Sequence, residues 1–418
     1  MGLEVDDIKT EIVNSKKLLR QNGINYTEVF KDMSASLKQE IEEIKALRDN
    51  GLSVIPEINF KSLSDEGFSD DDRALVKKRG CVIIRNTFES SLAQDWNEEL
   101  GSYIKEVGYY ENPDKGLDKY FSSLQKGKYH HPQIFSVYWS KPQIQARQHE
   151  NLAIVRRFLN SLWKNHVDGK PVFDPNRECT YADRTRRREP GDNSLGIKPH
   201  VDGGSVERWL KSSGFQSVYR HLLDGNWENY NPFDAAYRNE TSQIASPAVC
   251  SMFRTFQGWI ALSSQGPGDG TLQLIPSTRV LGWMILRALQ DDVPEDELCG
   301  AQPGRALSCD PEWHGLALEG LCTIPKMQVG DSIWWHGDTV HAVEDEHKGK
   351  ESSNVIYVGA APYCKKNVSF LDAQAKSFML GESSPDFAPE NYELDFEGRA
   401  RISDLSELGK KQMGLEAW

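Results

Sequence analysis

The segment SLGIKPHVDGG (194–204) places His200 and Asp202 two positions apart, directly before a pair of glycines. Neighbouring side chains of an extended chain point to opposite faces, so these two project to the same side. Leu195 and Ile197 alternate with other residues as in a half-buried strand, and the glycines allow a sharp exit from it. The pattern predicts a metal-binding pair at a strand end. The alternative is a structural histidine with its orienting carboxylate.

The same four letters, HVDG, occur earlier, beginning at His166. They follow an amphipathic segment, residues 143–163, that predicts a helix. Asp168 and Gly169 favour a turn, and Pro171 prevents the helix from continuing. We therefore predict that this copy is a surface turn.

The segment VGDSIWWHGDTVHAV (329–343) contains a third pair, His336 and Asp338, followed by His341. The run DSIWWHGD is typical of a strand, in which His336 and Asp338 share a face and His341 has the opposite parity. Either His336 is the inward group, or the chain turns at Asp338 and His341 is. Two imidazoles and one carboxylate bind one face of a metal and leave other positions open, which suits non-haem Fe(II) that activates O2.

The composition indicates a protein of the ordinary globular class. No run approaches the roughly 20 apolar residues that cross a bilayer, and the first residues lack the apolar core of a signal peptide. A net charge of −13 argues against binding to nucleic acid or to an anionic membrane. The seven cysteines form no Cys-x-x-Cys pair, which favours free thiols in a reducing compartment. We expect a cytoplasmic location.

Hydrophobic patterning indicates one domain, residues 1–418, with distinct parts. Residues 1–165 predict a helical layer that includes one buried strand at 80–85 and a polar, acidic connection at 62–72. Residues 175–364 predict short strands separated by Gly and Pro turns, as in an antiparallel sandwich or barrel.

Two insertions interrupt the strand region, one at 205–240 and one of helical character at 280–322. The Gly-rich run GPGDG (266–270) lacks the Lys-Ser/Thr of a phosphate loop and predicts a hairpin turn. The tail, 365–418, is expected to pack on the core, irregular at first and then helical at SDLSELGKKQ (403–412).

Three blocks of the chain resemble the Fe(II)/2-oxoglutarate-dependent dioxygenases, most clearly those like phytanoyl-CoA dioxygenase. The blocks are HVDGG (200–204), GWIALSSQGPGDGTLQLIPST (258–278) and VGDSIWWHGDTVHAV (329–343). The resemblance implies a mainly β fold with α additions: a double-stranded β-helix core, of the jelly-roll or cupin type, with an N-terminal helical layer and helical insertions. It also implies Fe(II), 2-oxoglutarate as co-substrate and O2.

In that family a Gly-Asp turn precedes the distal histidine, and here Gly330-Asp331 precede His341 in the same way. The resemblance therefore implies that His200, Asp202 and His341 are the metal ligands and the catalytic centre. It selects His341 over His336, a choice that the spacing alone leaves open.

The resemblance is closer still to the bacterial and fungal proteins of the YbiU type, a domain family of unknown function. It covers nearly the whole chain, including WSKPQIQARQHENL (139–152) and PGDNSLGIKPHVDGGSVERW (190–209). It implies the fold and the metal chemistry but no substrate. We expect the hydroxylation of an unidentified small molecule.

The chain departs from the wider family after the distal histidine, where an Arg or Lys usually binds the distal carboxylate of 2-oxoglutarate. That interval reads HKGKESSNVIYVG (347–359), in which Lys350 belongs to a polar loop. Arg254 is the first candidate for this role, because a charge in the apolar segment SMFRTFQGW (251–259) needs a partner such as a carboxylate. Lys350 and Arg186 are further candidates.

Arg184, Arg186 and Arg188 alternate on the predicted strand before the His-x-Asp pair, so they share one face. That face points either inward, as an anion site, or outward, as a basic edge. Other polar or aromatic residues are candidates for lining the cavity or lying above the metal: Gln257, Gln273, Trp259, Trp334, Trp335, Ser205, Glu207 and Arg208. Core packing is the alternative for the tryptophans.

Two other functions fit the same barrel. One is a metal-dependent isomerase or hydrolase that uses Zn or Mn as a Lewis acid. The other is a non-catalytic protein that binds a small molecule. Metal binding without 2-oxoglutarate turnover would favour the first, and ligand binding that survives the loss of His200 and Asp202 would favour the second.

Overall fold

The structure, a computed structural model, describes residues 4–111, 132–194, 198–247 and 249–418. Leu195 and Ile197, predicted to precede His200 on its strand, lie outside these residues. The described strands are β1 (Glu57–Asn59), β2 (Cys81–Arg85), β3 (Ile134–Phe135), β4 (His166–Val167), β5 (Lys170–Pro171), β6 (Asp174–Cys179), β7 (Thr185–Arg188), β8 (His200–Val201), β9 (Phe256–Ala261), β10 (Leu272–Leu274), β11 (Leu307–Ser308), β12 (Cys322–Thr323), β13 (Ser332–His336), β14 (His341–Val343) and β15 (Ser353–Tyr363).

The described α-helices surround these strands. They are α1 (Ile8–Arg20), α2 (Tyr26–Asp49), α3 (Phe60–Glu66), α4 (Asp70–Arg79), α5 (Ser90–Glu106), α6 (Lys141–Arg147), α7 (Glu150–Asn160), α8 (Phe215–Val218), α9 (Arg220–Leu223), α10 (Val280–Arg287), α11 (Pro311–Leu318), α12 (Lys365–Leu380) and α13 (Glu407–Gln412). Within the ranges given above, no helix is both long and apolar enough to span a membrane.

Two sheets form the centre of the described structure. The large sheet has the strand order β1-β2-β13-β9-β15-β7-β3, with β6 also paired to β15, and the small sheet has the order β11-β8-β14-β10-β12. Within these sheets β1 and β2 run parallel, and the other described pairs are antiparallel. A core of sheets with helices around it confirms the coarser part of the expected fold class.

The large sheet is buried on both faces, as β13 illustrates. Ile333 and Trp335 pack in one apolar cluster with Leu272 and Leu274 of the small sheet, whereas Trp334 packs in another cluster with the helices. One apolar layer therefore joins the two sheets, and a second joins the large sheet to the helical layer. A strand covered on both faces has no solvent-facing side, which explains the three consecutive apolar residues in the middle of β13, Ile333 to Trp335.

The predicted acidic connection at 62–72 is wrong, because this stretch contains the end of α3 and the start of α4. Ser69 caps α4: its hydroxyl accepts from the backbone N–H of Asp72, whose carboxylate accepts from the backbone N–H of Ser69. Such a capping box uses short polar residues, and acidic residues in the first turn favour a helix start through its dipole.

Other boundaries differ from the sequence predictions. The helix predicted at 143–163 is two helices, because the Nδ1 of His149 accepts the backbone N–H of Asn151 and caps a new start at α7. The first part of the tail is the helix α12 rather than irregular chain, and it buries Leu371 and Phe378. The helical prediction at 403–412 is confirmed for its second part, because α13 begins at Glu407 after the capping residue Ser406.

The Gly-rich run at 266–270 does not close a hairpin. The strand before it, β9, belongs to the large sheet, whereas the strand after it, β10, belongs to the small sheet. The turn therefore carries the chain from one sheet to the other. Likewise, the insertion at 280–322 is not only helical, because it contributes β11 as the neighbour of β8.

Candidate metal centre

His200, Asp202 and His341 meet on the small sheet. β8 and β14 are antiparallel neighbours in which His341 is the register partner of His200, and their ring centroids are 4.3 Å apart. Asp202 follows β8, with Oδ1 3.5 Å from His200 Nε2 and Oδ2 3.6 Å from His341 Nε2. Each of the three offers one ligand atom, and these atoms all lie within 4.8 Å of one another. Strand spacing left open whether His336 or His341 joins His200 and Asp202, and in the structure it is His341 that lies beside them.

Backbone carbonyls orient both imidazoles. Nδ1 of His200 lies 2.7 Å from the carbonyl oxygen of Lys198, and Nδ1 of His341 lies 3.2 Å from that of Thr339. A carbonyl only accepts, so each Nδ1 carries the hydrogen and, in the neutral ring, Nε2 keeps its lone pair. Both Nε2 atoms face Asp202. Two imidazole nitrogens and one carboxylate oxygen therefore fit Fe(II) or a similar divalent ion.

A glutamine and a tryptophan hold Asp202 in place. Nε2 of Gln257 donates to Oδ2 of Asp202 at 3.0 Å, and the indole Nε1 of Trp335 donates to Oε1 of Gln257 at 2.6 Å. The Trp335 ring also lies beside His341, with 5.3 Å between centroids. Outer partners of this kind orient metal ligands and raise their affinity. Both Gln257 and Trp335 line the cavity described below.

The electrostatics of the site favour an ionised Asp202 and a neutral His341. Burial opposes ionisation of Asp202, but the hydrogen bond from His200 and the charges of His341 and Arg254 hold the pKa of Asp202 well below its usual range. Burial and the charge of His200 lower the pKa of His341 to about 4. Burial also lowers the pKa of His200, but contact with Asp202 outweighs it and raises this pKa overall. A bound cation would replace the His200 proton, since metal ligands bind deprotonated.

The third His-x-Asp pair lies apart from this centre. The buried His336 ring stacks on Trp163, with centroids 4.7 Å apart, and its Nε2 donates to the carbonyl of Pro232 at 3.1 Å. Its Nδ1 accepts the backbone N–H of Asp338 at 2.9 Å. Asp338 in turn forms an ion pair with Arg238 at 2.7 Å. Both polar side chains are therefore satisfied within the protein.

The first HVDG copy is also separate. His166 is exposed on β4, and Asp168 and Gly169, with φ values of 49° and 75°, form the turn to β5. The predicted surface turn is confirmed. Positive φ is what Asp and Gly tolerate better than most residues.

A cavity of about 420 Å³ opens beside the three candidate ligands. Its lining includes the basic residues Arg184, Arg186, Arg188, Lys198, Arg254 and Arg305. The shared face of the β7 arginines therefore points inward. Three of the six have protein partners: Arg188 donates to four backbone carbonyls, Arg184 pairs with Asp183, and Lys198 pairs with Asp310.

Arg186 and Arg254 have no ion-pair partner among the described residues. Arg186 is only 9% exposed, and its Nε has no hydrogen-bond partner. The guanidinium carbon of Arg254 lies 5.1 Å from the centroid of the Tyr181 ring. Lys350, by contrast, is exposed between β14 and β15 and is not part of the cavity lining, so the structure does not bring this candidate to the site.

The remaining candidates divide between cavity and core. Trp259 lines the cavity, whereas Trp334 is fully buried toward the helices. Gln273 donates to the hydroxyl of Thr323 on β12 and does not line the cavity. Strand parity explains these outcomes, because Trp334 alternates with the inward-facing Trp335.

Ser205, Glu207 and Arg208 are buried against the loop that carries Asp202 and do not line the cavity. Glu207 accepts the backbone N–H of Ser205, and Arg208 donates to the backbone carbonyls of Asp202 and Gly203. They stabilise the loop that carries Asp202.

Several lining residues were missed from the sequence. Tyr357 on β15 lines the cavity and could have been found, because it alternates with Ile356 and Val358 on the opposite face. Phe387 of the tail and Arg305 of the 280–322 insertion also line the cavity. No local periodicity signals their approach.

The chain is similar to known proteins along its whole length. A family profile described as Gig2-like matches residues 6–415. The Uncharacterized protein YbiU of Escherichia coli (strain K12) is 37% identical over 412 residues, covering 98% of this chain and 97% of that protein. The crystal structure of Hypothetical Protein JW0805 from Escherichia coli aligns with a TM-score of 0.89 at 36% identity, covering 99% of each chain. That of GlcNAc Inducible Gene 2 from Candida albicans aligns with a TM-score of 0.84 at 27% identity, covering 100% of this chain and 91% of that one.

Proposed function

The chain belongs to the Gig2-like family, and we propose that it is a non-haem Fe(II)- and 2-oxoglutarate-dependent dioxygenase that hydroxylates a small organic molecule. The observation that carries this proposal is the meeting of His200, Asp202 and His341 beside a cavity that contains the unpaired Arg186. The three side chains would hold a divalent iron from one side and leave its cavity side open. When bound, Fe(II) and 2-oxoglutarate supply the oxygen chemistry that amino acids lack.

The path of the chain supports a double-stranded β-helix, the core expected for such an enzyme. β7, β9, β13 and β15 belong to the large sheet, whereas β8, β10, β12 and β14 belong to the small sheet. The chain thus crosses repeatedly between two sheets and encloses the space between them. The cavity is lined from both sides, by Tyr357 of the large sheet and Val343 of the small one, for example.

The strand register favours Arg186 over Arg254 as the partner of the distal carboxylate of 2-oxoglutarate. Gln257, which binds Asp202, is the register partner of Gly359 on β15, so the metal ligands lie near that level. Arg186 is the register partner of Val355, four residues further along β15, or about 13 Å at the usual strand rise. When one end of 2-oxoglutarate binds the metal, its distal carboxylate lies several ångströms away and needs a cation there. Arg186 lies at such a distance from the metal ligands.

The chain's own residues would bind and orient the reactants. The ionised Asp202 and the neutral Nε2 atoms hold the metal, and Gln257 fixes the carboxylate. Arg186 would donate a charge-assisted hydrogen bond to the co-substrate. Apolar side chains of the cavity wall, such as Trp259, Leu272 and Val355, exclude water from the space between them.

The test is anaerobic addition of 2-oxoglutarate to the Fe(II)-loaded protein, followed by exposure to air. We expect a weak visible metal-to-ligand charge-transfer band and then succinate, formed as 2-oxoglutarate is consumed, with faster turnover when a metabolite extract supplies the substrate. His200→Ala should abolish the band. His166→Ala, in the identical HVDG of the surface turn, is the matched control and should leave it intact.

Two results would contradict the proposal. Metal binding to His200, Asp202 and His341 without any 2-oxoglutarate turnover would instead favour a Lewis-acid isomerase or hydrolase. Equal loss of the band in both histidine variants would contradict the assignment of the metal centre.

A further inference from the structure

Three basic residues of the cavity lining have no ion-pair partner among the described residues: Arg186, Arg254 and Arg305. Arg186 is assigned above to the co-substrate and Arg305 is exposed, which leaves the half-buried Arg254. Its guanidinium lies over the Tyr181 ring and has no ion-pair partner among the described residues. Its aliphatic part lies against Gly359, where an added Cβ would come within 3.2 Å of Arg254 Cδ. Because Gly359 has no side chain, the side chain of Arg254 has room to reach the cavity.

The position of Arg254 is close to the metal ligands. Arg254 lines the same cavity as Asp202 and His341. Its aliphatic part lies against Gly359, the register partner of the Gln257 that donates to Asp202. The neighbouring wall combines this cation with apolar side chains: Pro247, Val249 and Phe387. A molecule bound there would meet one charged group and several apolar ones.

We propose that Arg254 binds the carboxylate of the molecule that is oxidised, and that the substrate is therefore a small organic acid with an apolar body. This inference rests on the proposed function, because it assigns Arg186 to 2-oxoglutarate and leaves Arg254 for the substrate. A planar guanidinium matches a carboxylate with two parallel hydrogen bonds. A phosphate usually gathers several donors, whereas Arg254 is a single cation supported by an aromatic ring.

The size of the cavity restricts this class further. A volume of about 420 Å³ must hold both the co-substrate and the substrate. Small-molecule sites generally begin at roughly 300 Å³, so the substrate is a compact acid rather than a coenzyme conjugate or a peptide.

The experiment measures the binding of probe acids to protein loaded with Zn(II), which has no redox chemistry, at saturating 2-oxoglutarate. Calorimetric titration compares benzoate with benzamide, and acetate with acetamide, so that each pair differs mainly in charge. We expect at least one acid to bind roughly tenfold more tightly than its amide, as a charge-assisted hydrogen bond would give. Arg254→Gln should remove this preference, and Arg254→Lys should restore part of it, with both variants folding as judged by thermal unfolding.

The variant Arg186→Gln distinguishes the role of Arg186 from that of Arg254. It should weaken 2-oxoglutarate binding while the preference for the acid remains. If neither acid is preferred over its amide, or if the preference survives in Arg254→Gln, the inference is overturned. It is equally overturned if Arg254→Gln, rather than Arg186→Gln, abolishes 2-oxoglutarate binding. If 2-oxoglutarate fails to bind the wild type, but an acid preference that depends on Arg254 persists, the proposed function fails and the acid site stands.

Discussion

His200 and His341 lie directly opposite each other on two neighbouring antiparallel strands, with ring centroids 4.3 Å apart. In the sequence they are far apart, because β9 to β13 lie between them. Asp202 completes the group from the loop after β8. A metal ion held by all three would cross-link two segments that are distant in the chain. Such an ion binds the folded state and not the unfolded one, so it must stabilise the fold.

Divalent metal should therefore raise the melting temperature of the wild type. At a concentration about 100 times Kd the gain is about 2.7 kcal/mol, and for a chain of this size it corresponds to roughly 3 °C. His341→Ala should abolish the rise, measured by calorimetry with Mn(II), because it removes a ligand. His336→Ala should keep the rise, whatever its own stability, because His336 bonds to Pro232 and Asp338 instead. The opposite pattern would show that His336 is the ligand.

Gln257→Leu should weaken metal binding by about tenfold or more, the usual effect of losing an outer partner of a metal ligand. The reason is that Gln257 donates to Asp202 and holds the carboxylate toward the two imidazoles. Gln273→Leu is the matched control, since Gln273 lies in the small sheet and its side chain donates to Thr323 rather than to a metal ligand. Competition titration with a chelating dye measures both. Equal affinities in the two variants would contradict a positioning role for Gln257.

Arg186→Gln should raise the dissociation constant for 2-oxoglutarate by about 10- to 100-fold, because it removes a charge-assisted hydrogen bond. Lys350→Gln should change it little, since Lys350 is exposed and away from the cavity. Titration of the visible band of the Fe(II) complex gives both constants. A large effect of Lys350→Gln alone would place the co-substrate elsewhere.

Asp338→Asn should destabilise the protein by about 3 kcal/mol without weakening metal binding. Asp338 is buried against Arg238 and Arg208, and loss of its charge leaves both guanidinium groups without their counter-ion. Asp168→Asn is the control, because Asp168 is exposed at a positive φ that Asn also tolerates. Urea unfolding measures both. A stable Asp338→Asn variant with impaired metal binding would reverse the assignment.

The metal-free protein should lose stability as the pH falls from 6.5 toward 4. Burial, aided by the charge of Arg238 and opposed by that of Asp338, lowers the pKa of His336 to about 4. The unfolded histidine, with a pKa near 6.5, therefore binds the proton more readily throughout this window, and acid favours unfolding. The contribution of His336 to the free energy of unfolding is fully present above about pH 6.5. At pH 5 that free energy is lower by about 2 kcal/mol.

The control for this pH dependence is His336→Phe, which keeps an aromatic ring against Trp163. The pKa values of the buried His314 and His341 are also lowered to about 4. Their contributions to the pH dependence of the free energy of unfolding should therefore remain in this variant. Urea unfolding at pH 7 and pH 5 should show a smaller difference for the variant than for the wild type. An unchanged difference would mean that His336 does not supply the effect.

The sequence alone predicted the parts of the fold that depend on local pattern. The strand-like run DSIWWHGD predicted β13, and the pair Asp168-Gly169 predicted the turn between β4 and β5. Local signals failed where polar residues act as caps: Ser69 and Asp72 start a helix, and His149 divides one helix into two. Each of these caps acts within three residues, but a polar composition by itself does not distinguish a helix cap from a connection.

The candidate metal centre likewise depends partly on local sequence pattern and partly on tertiary contacts. The sequence determined that His200 and Asp202 share a side and that Arg184, Arg186 and Arg188 share a face, because both facts follow from the period of an extended strand. Strand spacing left open which distant histidine joins that pair, and family resemblance indicated His341. In the tertiary structure the pairing of β8 with β14 brings His341 there. The tertiary structure also decided which arginines are already satisfied and which remain unpaired. Pairing register and hydrogen-bond partners arise between segments far apart in the chain, where no local periodicity acts.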